Sequence, residues 1–182
     1  MIIFKTIWFA PKKTIEEFNS KNVNNSLFFQ PLIFTGLVFA FDISSDISGV
    51  FEMKKFFLNF LFSLPIGIGL AFLGLALIIP WLIIVFGKIW RGASTMRQMV
   101  NVCSISVIPL NLLLVNQIVL LVFGYEPTLE QVNAGLYYVL SVWSFALLII
   151  GVSSMQNFSY GIALLNVLIS YLPLLIIGLL RN

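Results

Sequence analysis

The sequence predicts an all-α, polytopic transmembrane helical bundle of five spans, with its N-terminus in the cytoplasm and its C-terminus outside. Three observations lead there. Of 182 residues, 60% are apolar and 9% are charged, whereas a soluble domain carries about 25% charged residues; lipid must therefore solvate much of the chain. The charges cluster in short segments between uncharged runs, and a bilayer core about 30 Å thick needs about 20 apolar residues in helix. The bases, finally, fall unequally on alternating loops.

Residues 1–26 read as a cytoplasmic, interfacial segment, and 27–182 as the membrane domain. In the opening MIIFKTIWFAPKKT, Lys5, Pro11, Lys12 and Lys13 interrupt the apolar residues too early for a secretory signal. The first true span is then expected to insert as an uncleaved anchor. Trp8 suits the headgroup level. Pro11 breaks this stretch, and Thr14, with Glu17 three residues on, is a candidate N-cap for a short helix.

The first span is read at 27–41, with Gln30 and Pro31 near its start, followed by a polar loop at 42–55 holding Asp42, Asp46, Glu52, Lys54 and Lys55. The second, 56–87, exceeds one crossing. Pro65 and Pro80 are its candidate kinks, and tilt or an interfacial turn can absorb the excess. The third is 100–123, with Pro109 inside it. The fourth and fifth are 135–152 and 160–180, joined by the uncharged linker SSMQNFS. Lys5, Lys12, Lys13, Lys21, Lys88, Arg91 and Arg97 then share one side, against Lys54, Lys55 and Arg181 on the other. That bias puts the N-terminus inside.

No Asp, Glu, Lys or Arg lies well inside a proposed span, which argues against ion pumps, proton-coupled carriers and voltage sensors. The third span is the most polar. Asn101, Ser104, Asn111 and Asn116 are a candidate polar groove for a headgroup or solute; interhelical hydrogen bonding is the ordinary role of such residues. Gly67, Ala71 and Gly74 are a candidate helix-packing face, within the chain or between copies. Lys88, Arg91 and Arg97 bracket the loop RGASTMRQ, either as a topology determinant holding anionic headgroups or as a cytoplasmic docking loop. Ser94 is its candidate helix cap. No cofactor is expected. One cysteine, Cys103, and no histidine preclude the usual zinc, haem and copper sites, and no basic run serves nucleic acid.

Four stretches together resemble the Yip-one domain family, the Ypt/Rab-interacting membrane proteins, in its bacterial form. They are IWFAPKKTIEEF (Ile7 to Phe18), GKIWRGASTMRQMVNV (Gly87 to Val102), SISVIPLNLL (Ser104 to Leu113) and VWSFALLIIGVSSMQNFSYGIAL (Val142 to Leu164). The resemblance implies five spans, a cytoplasmic N-terminus, and the cytoplasmic (inner) membrane of a bacterium. Eukaryotic members bind Rab-type GTPases in vesicle trafficking; this sequence is read as departing from them in the long cytoplasmic N-terminal region, so a Rab partner is not assumed. The function expected is a non-enzymatic scaffold or adaptor whose partners are the lipid bilayer and a second copy or another membrane protein. A transporter, channel or lipid-moving protein using the polar face of the third span is the alternative. A membrane enzyme would need its acid or base from Glu16, Glu17, Asp42 or Asp46.

Overall fold

The computed structural model of the protein describes residues 6–20, 26–48, 53–129, 131 and 133–180. Every regular element among the described residues is a helix. They are α1 (Pro11–Ser20), α2 (Ser26–Ser48), α3 (Met53–Phe72), a π-helix (Leu73–Ile78), α4 (Ile79–Gly87), a 3-10 turn (Lys88–Trp90) and α5 (Met96–Ser106). A second 3-10 turn (Pro109–Asn111), α6 (Leu112–Val122), α7 (Ala134–Gln156) and α8 (Tyr160–Leu180) complete the order. Lys55–Trp90, 36 residues, and Ala134–Gln156, 23 residues, are long and apolar enough to cross a membrane. Met96–Ser106 with Pro109–Val122 makes a third if the broken pair is one span, and Phe29–Ser45 and Tyr160–Ile176 are shorter apolar helices.

Several boundaries differ from hydropathy for local reasons. Helix α1 begins at Pro11, where the missing N–H is harmless, and Thr14 lies inside it, its hydroxyl donating to Ala10 O at 2.9 Å. Thr14 is therefore not the cap. Helix α2 runs past the apolar stretch to include Asp42 and Asp46, which charge alone placed in a loop. Ser44 and Ser45 donate to Phe41 O at 2.8 and 3.2 Å, so their hydroxyls stay within the helix. Proline shapes the next two elements. The wide π turns sit just before Pro80, which has no N–H for the preceding turn. Pro109 follows the break between α5 and α6 and opens a 3-10 turn. Ser94 does not cap α5. Thr95 does, by a capping box in which Gln98 Oε1 accepts from Thr95 N at 2.8 Å and Thr95 Oγ1 accepts from Gln98 N at 3.3 Å.

The chain forms two compact units. One comprises 1–24, 75–106 and 145–182, the other 25–74 and 107–144. In the second unit, α2 and α3 cross closely through two glycines. A Cβ on Gly36 would lie 2.6 Å from Ile68 Cα; one on Gly67 would meet Gly36 O and come within 2.7 Å of Ala40 N. Ala71 is fully buried, and Phe41 packs on Phe60 with ring centroids 4.7 Å apart. The second 3-10 turn and helix α6 are tied to α2 by amides: Asn111 Nδ2 donates to Pro31 O at 3.2 Å, Thr35 Oγ1 donates to Asn111 Oδ1 at 2.9 Å, and Gln117 Nε2 donates to Val38 O at 3.3 Å. The core around Val38, Leu113 and Leu140 takes Leu129 from the following loop, whose N–H donates to Asp42 Oδ1 at 2.8 Å.

In the first unit, α1 packs through buried Ile15 and Phe18 and lies against α5. Helix α4 packs on both α5 and α8. Gly151 of α7 lets Val102 of α5 approach so closely that a Cβ there would collide with it.

Candidate functional site

One end of the first unit collects polar chemistry from three distant parts of the sequence. The first is the turn after α4. Arg91 adopts φ 62°, Arg91 N donates to Lys88 O at 3.1 Å and Gly92 N to Gly87 O at 3.0 Å. This pair of bonds is a Schellman closure, with arginine where glycine usually supplies the left-handed residue. The chain then enters α5 through the Thr95–Gln98 box. Lys88 and Arg91 on this turn and Arg97 in the first turn of α5 are all exposed. None of the three has an acidic partner among the described residues.

The second part is the end of α7, which closes in a similar way. Asn157 has φ 56°, Phe158 N donates to Ser153 O at 3.0 Å, and Ser153 Oγ donates to Phe158 O at 2.6 Å. The Phe158 ring meets Trp90 edge-on at 6.5 Å between centroids. The third part is α1. Lys12 and Lys13 pair with Glu16 and Glu17 at 3.9 Å each. Ser154 Oγ donates to Glu16 Oε1 at 2.9 Å, and Asn101 Nδ2 donates to Asn19 Oδ1 at 3.0 Å. These contacts fasten α1 to both α5 and α7.

Beneath this face lies a buried amide cluster. Gln156 Nε2 donates to Ile83 O at 3.3 Å and approaches Met99 Sδ at 3.8 Å. Asn166 Nδ2 donates to Ile83 O at 3.1 Å and reaches Gln156 Oε1 at 3.5 Å. The Gln156 amide occupies the space that a Cβ on Gly87 or Gly92 would enter. Asn166 is fully buried, and its Oδ1 has no hydrogen-bond partner among the described residues.

The family model of the Yip1 domain matches residues 5–181, nearly the whole chain. The chain belongs to the Yip1 domain family. No curated protein and no solved structure matches it. With helices able to span a bilayer, this Yip1 domain chain is a membrane protein.

The sequence candidates distribute unequally over this Yip1 domain. Asn101 and Ser104 belong to α5 in the first unit; Asn111 and Asn116 belong to the second. Asn101 and Asn111 both bond protein groups, whereas Asn116 Oδ1 is buried with no partner among the described residues. Lys88 and Arg91 lie on the turn after α4 and Arg97 in the first turn of α5, and all three are exposed. Gly67 and Ala71 sit in the α2–α3 packing, but Gly74 faces open space within 4 Å. Of the acids, Glu16 and Glu17 are on α1 and Asp42 is on α2 beside Leu129; the Asp46 side chain lies outside the described residues. Sequence reading missed Gln156 as an anchor and Gly36 as the partner of Gly67. For Gln156 the only cue was a lone amide at the end of an apolar run.

A small pocket of about 80 Å³ opens in the second unit beside Thr35, Asn111, Leu129 and Tyr137. Its polar edge, Thr35 and Asn111, is already hydrogen-bonded.

Proposed function

We propose that this Yip1 domain protein is a non-enzymatic membrane scaffold or adaptor. It crosses the membrane five times, with its N-terminus in the cytoplasm, and presents the α1 face of the first unit to a partner. The observation that carries this reading is the fastening of α1 to α5 and α7, together with the contact of the turn after α4 with the α7–α8 turn through Trp90 and Phe158. A docking surface that binds without folding first loses less affinity to ordering. An alternating five-span path also puts these three segments on one side, and the excess of bases among them makes that side cytoplasmic. A bacterial cytoplasmic membrane fits the same sign of charge. Self-association through the lipid-facing helices is part of the reading.

Photo-cross-linking in native membranes tests it. A photoreactive residue replacing Lys13, exposed on α1, is expected to give discrete cross-linked species, from a second copy or another membrane protein. The same probe replacing Leu61, exposed on the outer face of α3, serves as the comparison. Only lipid adducts at both positions would overturn the adaptor reading.

A further inference from the structure

We infer that the turn between α4 and α5 is a binding site for anionic phospholipid headgroups, with Lys88, Arg91 and Arg97 as its phosphate donors. The inference rests on the reading that this end of the first unit lies at a membrane surface. It assigns the turn to lipid, while α1 is left to the protein partner.

The charge balance of the two neighbouring surfaces differs. On α1 each lysine has a glutamate one turn away, so that helix carries little net attraction for an anion. On the turn and the first residues of α5, three exposed cations stand within ten residues and have no acidic partner among the described residues. The turn also carries the apolar half of an interfacial site. Ile89 is 66% exposed beside Lys88, and Met96 is exposed beside Arg97. Apolar side chains interleaved with cations suit a headgroup–acyl boundary, which solvates both. The turn is also held in shape. Its Schellman closure fixes Arg91 in the left-handed conformation, Trp90 rests on Phe158, and Gln156 fills the space under Gly87 and Gly92. Arginine presents a fork of donors that matches a phosphate, and lysine a point charge. A neutral headgroup satisfies the same donors but adds no net attraction.

Each cation near an anionic surface contributes about fivefold in association. The experiment uses the full-length protein reconstituted in phosphatidylcholine, with spin-labelled phosphatidylglycerol or phosphatidylcholine as the probe. The fraction of probe immobilised on the protein is read by electron spin resonance. The protein is expected to prefer the anionic probe at least about fivefold at low salt, and high salt to reduce that preference towards one. The variant Lys88→Gln/Arg91→Gln/Arg97→Gln is expected to lose the preference. Lys12→Gln/Lys13→Gln is expected to keep most of it. Equal immobilisation of the two probes by the native protein overturns the proposal, as does a triple variant that retains the preference. Should the triple variant not fold, the salt series and the single variant Arg97→Gln, expected to lower the preference about fivefold, decide alone. Millimolar inorganic phosphate at constant ionic strength is expected to leave the preference unchanged; displacement of the lipid would make this a soluble-phosphate site and overturn the assignment. No partner protein is present and anionic lipid is offered to both leaflets, so failure of the adaptor reading or of the orientation does not alter this outcome.

Discussion

Replacing Gly67 by alanine puts a methyl group against backbone that has no rotamer with which to yield. The new Cβ meets Gly36 O, and it lies 2.7 Å from Ala40 N and 3.0 Å from Ala40 Cα. Carbon contacts are optimal at about 3.5–4.0 Å, so α2 and α3 must part by roughly 1 Å, and such a gap forfeits a quarter to a half of each pairwise attraction along the seam. Overpacking typically destabilises by about 1–3 kcal/mol, and the upper part of that range applies where the obstacle is main chain. For a chain of this size about 2–3 kcal/mol corresponds to a fall in Tm of roughly 4–12 °C. Gly69 and Gly74 provide internal controls, because a Cβ on either meets nothing within 4 Å. Alanine there is expected to be neutral or to stabilise by up to about 1 kcal/mol. Thermal unfolding of purified protein in mild detergent, followed by size-exclusion fluorescence, measures all three. Gly36→Ala/Gly67→Ala is expected to lose less than the sum of its parts, because one separation accommodates both methyls. Equal melting temperatures for Gly67→Ala and Gly69→Ala would refute the close crossing.

The polar contacts give further expectations. Gln156→Leu removes one donor to Ile83 O and sets branched methyls against Gly87 and Gly92; a loss of about 1–2 kcal/mol is expected in the same unfolding assay. Asn111→Leu breaks both links to α2 and is expected to lose a similar amount, whereas Asn111→Gln restores part of it. Asp42→Asn keeps an acceptor for Leu129 N and is expected to leave hydrogen exchange over residues 124–129 nearly unchanged, while Asp42→Leu raises it; equal exchange in the two variants would show that the contact does not hold the loop. Thr95→Ala removes the cap of α5 and is expected to destabilise by about 1 kcal/mol.

Hydropathy made the helical class legible because lipid and buried protein both demand apolar residues and satisfied backbones. It did not make the ends of helices legible. Backbone hydrogen bonding continues wherever a polar side chain can be accommodated, as Ser44, Ser45 and Asp42 are in α2. The cap at Thr95 was readable from its spacing to Gln98, yet the neighbouring Ser94 offers the same side-chain chemistry one residue earlier. Gly67 announced close packing, but its partner Gly36 lies on another helix with no local spacing to connect them. The three cations of the α4–α5 turn were evident from charge. Their left-handed closure at Arg91 was not, because arginine seldom takes that conformation. The link of Gln156 to Ile83 is likewise a meeting of residues 73 apart in sequence.

Everything proposed for this protein depends on α1, the α4–α5 turn and the α7–α8 turn lying on a single face of the membrane. Single cysteines at Lys13, Arg91 and Asn157, with Cys103 replaced by serine, can be labelled with an impermeant maleimide in intact cells and in inverted vesicles. All three are expected to stay unlabelled in cells and to react in inverted vesicles. Labelling of Arg91 and Asn157 from opposite sides would contradict the account.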